Sequence, residues 1–204
     1  MGHREDLLEG AKRCLLEKGF VRTTARDIVK ESGTNLASIG YHYGSKDALL
    51  VQAYISLIEG MSGGYGPGWG VSDTSRTAAG SLERFQEVWT NIIRSVPESR
   101  AIWLLSFELI FQGERVPEVR KLLAEAQEEG RSGIVPLFTD IPEAEVDKET
   151  VDTEGRLYQT LLQGLMVQWL FDPDTAAHAD QLTEGLRRVL AGVASAGAHE
   201  EGRG

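Results

Sequence analysis

The chain has 204 residues, 41% of them hydrophobic, and a formal net charge of −10. That length admits one generous domain, or a small domain joined to a larger one, with enough apolar material for a real core. No apolar run approaches the roughly 20 residues of a membrane span, the charged start MGHREDLLEG lacks the apolar centre of a signal peptide, and a single cysteine, Cys14, excludes an internal disulfide framework, so a cytoplasmic chain is expected. Leu7, Leu8, Ala11, Cys14 and Leu15 follow a 3–4 spacing that predicts a first helix ending at Gly19. Thr24 opens a second helix, where Thr24-Ala-Arg-Asp27 resembles a capping box with Asp in place of Glu. Ile28 and Val29 supply its apolar face and Gly33 ends it. A short third helix is expected from about Asn35 to Tyr43, and Ser45 is a suitable N-cap for a fourth, about residues 46–59, with Asp47 in its first turn.

Residues 60–72, GMSGGYGPGWGVS, hold six glycines and a proline and break every periodicity, which predicts a loop or linker. Helical patterns resume over Ser81–Ser95. Ser95-Val-Pro-Glu98 then has the S-x-x-E of a new helix start, followed by AIWLLSFELIF, apolar nearly all round. Pro117 opens a helix to about Ile134, residues 136–147 read as a loop, and a long pattern covers about Lys148 to Phe171. Asp172-Pro173 has the form of N-cap and N1 of a last helix ending near Ala194, with residues 197–204 a disordered tail. The expectation is an all-α protein. Residues 1–50 form a three-helix helix-turn-helix DNA-binding domain that the fourth helix connects onward, and residues 73–196 a larger helical ligand-binding and dimerisation domain.

The acidity is not evenly spread. Residues 1–59 hold 8 basic and 8 acidic residues, while the remainder holds 13 basic and 23 acidic residues and therefore the whole excess of −10. An acidic body behind a neutral head is repelled by DNA and turns the head toward it. Within that head, Thr34, Asn35, Ala37, Ser38 and Gly40 offer small or polar side chains at the exposed positions of the third helix, and Ile39 anchors it inward. Tyr41 and His42 at its end, Lys46 just beyond and Thr24 at the start of the second helix are residue types that contact phosphates, which position a protein without reading sequence. Tyr43 suits a core aromatic.

Residues 7–50 resemble the N-terminal DNA-binding domain of the TetR family of transcriptional regulators. LLEGAKRCLLEKGF is similar to that family's first helix with its Glu-x-Gly-aromatic ending, TTARDIVKESGT to its second, and IGYHYGSKDALL to the signature across its third and fourth. The resemblance implies a homodimer that binds a palindromic operator in double-stranded DNA, usually as a repressor, and a divergent helical C-terminal domain that binds a small inducer and dimerises through its last two helices. Carried over by position, it assigns Thr24, Tyr41, His42 and Lys46 to DNA phosphate and Asn35, Leu36, Ala37, Ser38 and Gly40 to the base-facing side. Gly40 departs from the larger residue common there, and Tyr43 replaces the commoner phenylalanine.

For the sensing half, Trp89, Trp103, Phe107, Phe111, Tyr158, Met166 and Trp169 are the expected pocket residues, with Glu108, Gln112, Gln163 and Gln168 as polar partners. Trp103, Phe107 and Phe111 share one helical stripe. Such a lining suits a lipophilic or aromatic inducer, although aromatics at this spacing also build plain core. Leu161, Leu165, Leu182, Leu186, Val189 and Val193 on the last two helices are the expected dimer interface, a two-fold four-helix bundle. Gly60-Met-Ser-Gly-Gly64 fits G-x-S-x-G but lacks the preceding strand of a nucleophile elbow, and the four histidines show no metal-ligand spacing. No catalytic residue, metal or cofactor is therefore expected. The competing possibility is an all-helical enzyme or small-molecule carrier with a vestigial reader.

Overall fold

Gly19 and Gly33 adopt φ of +77° and +69° and close the first two helices where glycine punctuation predicts. The computed structural model describes residues 2–60 and 77–201, the last five as backbone only. Helix α1 spans His3–Lys18, α2 Ala25–Ser32, α3 Leu36–Tyr43 and α4 Lys46–Glu59. Side-chain caps start three of them: Thr24, Asn35 and Ser45 each accept a hydrogen bond from the backbone N–H three residues on. Helix α2 crosses α1 so closely that a Cβ on Gly10 would lie 2.8 Å from Ser32 Cβ. Leu7, Leu15, Ile28, Ile39, Leu49 and Leu50 bury into one cluster between these helices. Cys14 is in it, and burial holds its thiol above the usual range, as befits an inert packing residue.

That cluster does not stop at residue 59. Leu105 and Leu109 of α5 (Leu82–Gly113) and Val119 of α6 (Pro117–Phe138) belong to it, so the N-terminal helices share a core with the larger C-terminal layer. Farther along α5, Phe85, Trp89, Ile92 and Trp103 form a second core with Ile134 and Phe138 of α6 and with Leu162, Leu165 and Met166 of α8 (Arg156–Phe171). The long C-terminal helix α9 (Ala179–Glu201) lays its first half on α5. None of the described helices is long and apolar enough to cross a membrane.

Four boundaries differ from the sequence expectation. The capping-box pattern at Ser95-Val-Pro-Glu98 does not start a helix. Helix α5 runs unbroken for 32 residues with Pro97 inside it, and the Ser95 hydroxyl donates to Ile92 O at 2.8 Å. Ile92, Val96, Ser99 and Trp103 are all buried along this stretch, and that continuous burial outweighs the roughly 3 kcal/mol cost of an interior proline. Helix α6 takes Pro136, Leu137 and Phe138 from the expected 136–147 loop, because Phe138 is buried in the second core. The expected Lys148–Phe171 helix is continuous but begins with one α-turn, α7 (Lys148–Thr150), and a π-turn over Val151–Gly155. There Gly155 nears α6 so tightly that a Cβ would sit 2.8 Å from Arg131 O. Asp172-Pro173 closes a turn, with Asp172 side-chain oxygens accepting from Asp174 N and Thr175 Oγ1, and α9 starts only at Ala179. It continues to Glu201, past Ala194 and through residues 197–201 of the expected disordered tail. The glycine-rich run 60–72 and the G-x-S-x-G match lie, beyond Gly60, outside the described residues.

Candidate nucleic-acid interface and cavity

Helices α2 and α3 form the helix-turn-helix. Thr24 caps α2 reciprocally: its hydroxyl accepts from Asp27 N at 3.2 Å, and Asp27 Oδ2 accepts from Thr24 N at 2.9 Å and from the Thr24 hydroxyl at 2.6 Å. The Asp27 carboxylate also accepts from Lys18 Nζ at 2.7 Å. Lys18 first, then the Thr24 donors, hold that carboxyl well below the usual carboxylate range. The predicted capping box is therefore present, and the Thr24 hydroxyl is already committed to it.

On α3, Leu36, Ala37 and Gly40 are exposed, Ser38 is half-buried and Ile39 is buried. Asn35, read from the sequence as base-facing, is the N-cap: its side-chain oxygen accepts from Ser38 N at 3.1 Å. Tyr41 is 85% exposed and meets the half-buried His42 edge-on at 4.8 Å. The Tyr43 hydroxyl finds its partner in Arg4 O at 2.7 Å, and the Arg4 guanidinium lies over its ring, so the end of α3 is fastened to the start of α1. Lys46 donates to Thr23 O at 3.3 Å, pairs with Asp47 at 2.8 Å and stands 5.2 Å from the centre of the Phe20 ring. The sequence did not single out Arg26, an exposed cation on the first turn of α2 beside Thr24; its place two residues after the cap was the available signal.

Behind the reader lies a cavity of about 770 Å³ between α4, α5, α6 and α8. Trp103, Phe107, Met166 and Gln163, expected in a ligand pocket, line it. The other expected lining residues do not. Trp89 is fully buried against Phe85 and Phe138, and Tyr158 stacks on Phe138 at 3.9 Å, so both are core. Trp169 donates to Ala177 O at 3.1 Å, and Gln168 accepts from Ala177 N at 3.0 Å, fastening the turn before α9. Phe111 is 70% exposed, and neither it nor Gln112 is in the lining. Glu108 points toward α1 instead, accepting from Phe20 N and Val21 N, both at 2.9 Å. Unforeseen walls come from α4, including Tyr54 and Ile55, and from Gly130 and Gly133 on α6. Ser106 donates to Ile102 O at 2.9 Å, which leaves Tyr54 as donor in its 2.7 Å hydrogen bond to Ser106. That bond ties α4 to α5 at the cavity edge.

The profile of the bacterial regulatory proteins of the tetR family matches residues 7–53, and that of the BetI-type transcriptional repressor C-terminal domain matches residues 81–195. The chain belongs to the TetR family of bacterial transcriptional regulators. Two HTH-type relatives are similar over most of their length. The HTH-type transcriptional repressor AcnR of Corynebacterium efficiens is 27% identical over 150 residues, 68% of this chain and 71% of AcnR. The HTH-type transcriptional regulator PksA of Bacillus subtilis is 25% identical over 175 residues, 83% and 80%. Among solved structures, the putative transcriptional regulator SCO7518 from Streptomyces coelicolor superposes with a TM-score of 0.63 at 20% identity, over 92% of this chain and 97% of that one. The multidrug binding protein EbrR complexed with proflavin superposes at 0.58 and 22%, over 92% and 99%. These establish the TetR-type fold.

Exposed apolar side chains run along the second half of α9 in this TetR-type body. Val189 and Val193, expected at the dimer interface, are 62% and 67% exposed on the second half of α9, where all residues from 187 to 196 are exposed. Leu161, Leu182 and Leu186 are half-buried against the second core. Leu165, expected on the same interface, is 2% exposed inside the protomer and belongs to the monomer core. Among the described residues, no cluster of three His, Cys, Asp or Glu side chains could hold a metal ion.

Proposed function

We propose that the chain is a ligand-responsive repressor that binds a palindromic operator as a homodimer and is released by a small, mostly apolar molecule in the α4–α5–α6–α8 cavity. Residues 1–50 read DNA, α4 connects, and residues 73–196 sense and pair. Thr24, Tyr41, His42 and Lys46 hold phosphates, joined by Arg26, while Leu36, Ala37, Ser38 and Gly40 approach base edges and Asn35 presents its free amide from the cap. The observation that carries the reading is the sharing of α5. Phe107 lines the cavity, and the next residue, Glu108, grips the backbone that follows α1. A DNA-competent dimer holds its two recognition helices one turn of B-DNA, roughly 34–36 Å, apart. A ligand that prefers another arrangement of α5 weakens DNA binding by its differential affinity for the two states.

The test is a gel shift with DNA from upstream of the chain's own gene, run at several salt concentrations. The reading requires specific, salt-dependent retardation that an excess of unrelated DNA does not abolish. Retardation no stronger than on unrelated DNA under every condition sinks it.

A further inference from the structure

Among the described residues, the charged groups that line the cavity are all of one sign. Glu59 at the end of α4, Glu129 on α6 and Glu143 in the 3-10 turn Glu143–Glu145 border it, and no described lysine, arginine or histidine does. All three glutamates are exposed, which places them at the mouth. Glu143 accepts from Ser132 Oγ at 3.4 Å, whereas Glu59 and Glu129 have neither ion pair nor hydrogen bond among the described residues. Basic residues are not absent nearby: α6 itself carries Arg120, Lys121 and Arg131, and none of them lines the cavity. The other lining side chains carry no charge: most are apolar or aromatic, with Trp103 and Phe107 presented from one face of α5, and Ser106, Gln127, Gln159 and Gln163 add neutral polar groups.

Carboxylates and the faces of aromatic rings both attract a cation. An anion meets three like charges and no counter-charge, and a neutral molecule gains only from the walls. We infer that this cavity selects a lipophilic cation, with an apolar body against Trp103 and Phe107 and a quaternary or protonated nitrogen toward Glu59 and Glu129. The inference rests on the cavity being the ligand site of the proposed function and adds the charge of the ligand to it. Selection by charge sets apart two molecules of one shape, which the walls alone do not distinguish.

The probes are N-methylacridinium, a fixed cation, and acridine, the same three-ring body left neutral at a pH of about 8, titrated calorimetrically into the whole protein. The cation binds about tenfold more tightly than acridine, the scale set by two partly solvated carboxylates, and its affinity falls as salt is raised. Replacing Glu59 and Glu129 together by glutamine removes about that tenfold preference and leaves acridine affinity within about twofold, since both residues are surface groups without partners. Equal affinities for the two probes, or a preference that survives the double substitution, overturn charge selection while leaving the apolar ligand reading in place. Absence of binding by both probes also overturns it, and the operator gel shift, which needs no ligand, then decides separately whether the regulatory reading stands.

Discussion

The carboxylate of Glu108, deep in the chain's longest helix, accepts the backbone N–H of Phe20 at 2.9 Å and that of Val21 at the same distance. The grip is tight: a Cβ on Gly19, which has φ of +77°, would lie 2.8 Å from Glu108 Oε2. Phe20 in turn lies under Lys46, and Lys46 donates to Thr23 O. One carboxylate thus joins the cavity wall to the backbone that leads into α2.

Replacing Glu108 by alanine leaves two N–H donors without their acceptor. A hydrogen bond to a charged group contributes about 1.5–3 kcal/mol, and one of these is solvent-exposed, so a loss of about 2 kcal/mol in unfolding free energy by urea titration is expected. The variant also has a distinct regulatory signature. It binds operator, but a cavity ligand lowers its operator affinity less than in the wild type. An undiminished ligand response shows that coupling runs elsewhere.

Lys46→Ala tests the phosphate role. Lys46 is half-exposed and held by Asp47 and Thr23 O, so in complex with DNA its ammonium exchanges these partners for a phosphate. Affinity should fall about equally for all sequences, and the slope of log K against log salt should shrink by about 1. Stability should change by less than about 1 kcal/mol, the range of an exposed pair. A loss confined to one operator base pair contradicts the assignment.

The parts of the molecule that local chemistry decides were legible in the sequence. Thr24-x-x-Asp27, Asn35, Ser45, Gly19 and Gly33 each act within a few residues of themselves. Ser95-Val-Pro-Glu98 carries the same kind of local signal and misleads, because burial of Ile92, Val96, Ser99 and Trp103 keeps the helix whole. Asp172-Pro173 misleads similarly, since Gln168 and Trp169 fasten Ala177 before α9 begins. Helical spacing told which face of α5 turns inward. It did not tell whether a void or a packed side chain waits there, so Trp89 and Trp103 looked alike although both are buried in the second core and only Trp103 also walls the cavity. Glu108 was placed on the pocket side for the same reason: its partner is 88 residues away, beyond any periodicity.

Gly40→Ala should stabilise the protein. Gly40 is exposed on α3, its φ is not positive, and a Cβ there meets nothing within 4 Å. Alanine recovers roughly 0.8–1 kcal/mol of helix propensity, read as a higher urea midpoint with an unchanged slope. A lower midpoint means that the third helix is strained at this position.

Asp27 makes the N-terminal domain acid-sensitive. Its folded-state carboxyl is depressed below the usual range by Lys18 and Thr24, so its stabilisation is present above the unfolded carboxylate range, about pH 4, and is lost as pH falls toward the folded value. Lys18 is shifted upward by the same bond, so its share is present at neutral pH and lost only well into the alkaline range. The stability difference between wild type and Asp27→Asn should therefore be constant from about pH 6 to 8 and shrink below about pH 4. A difference that stays constant into acid shows that the Lys18 pair contributes nothing.

The second half of α9 tests pairing. Val189 and Val193 are four residues apart on one helical face and are 62% and 67% exposed, so the isolated protomer has no packing to lose when they change. A helix that keeps such residues in water through a solvated half is unfavourable unless a second surface covers them, and the two-fold partner of the same helix is self-complementary. The double substitution Val189→Asp/Val193→Asp places carboxylates on both sides of that axis. Sedimentation should then show a monomer whose helix content by circular dichroism matches the wild type, and the melting temperature should lose its dependence on protein concentration. Operator binding should weaken on the same variant, because two half-sites are no longer read together. A wild-type protein that sediments as a monomer, or a variant that remains a dimer, assigns the interface to another face.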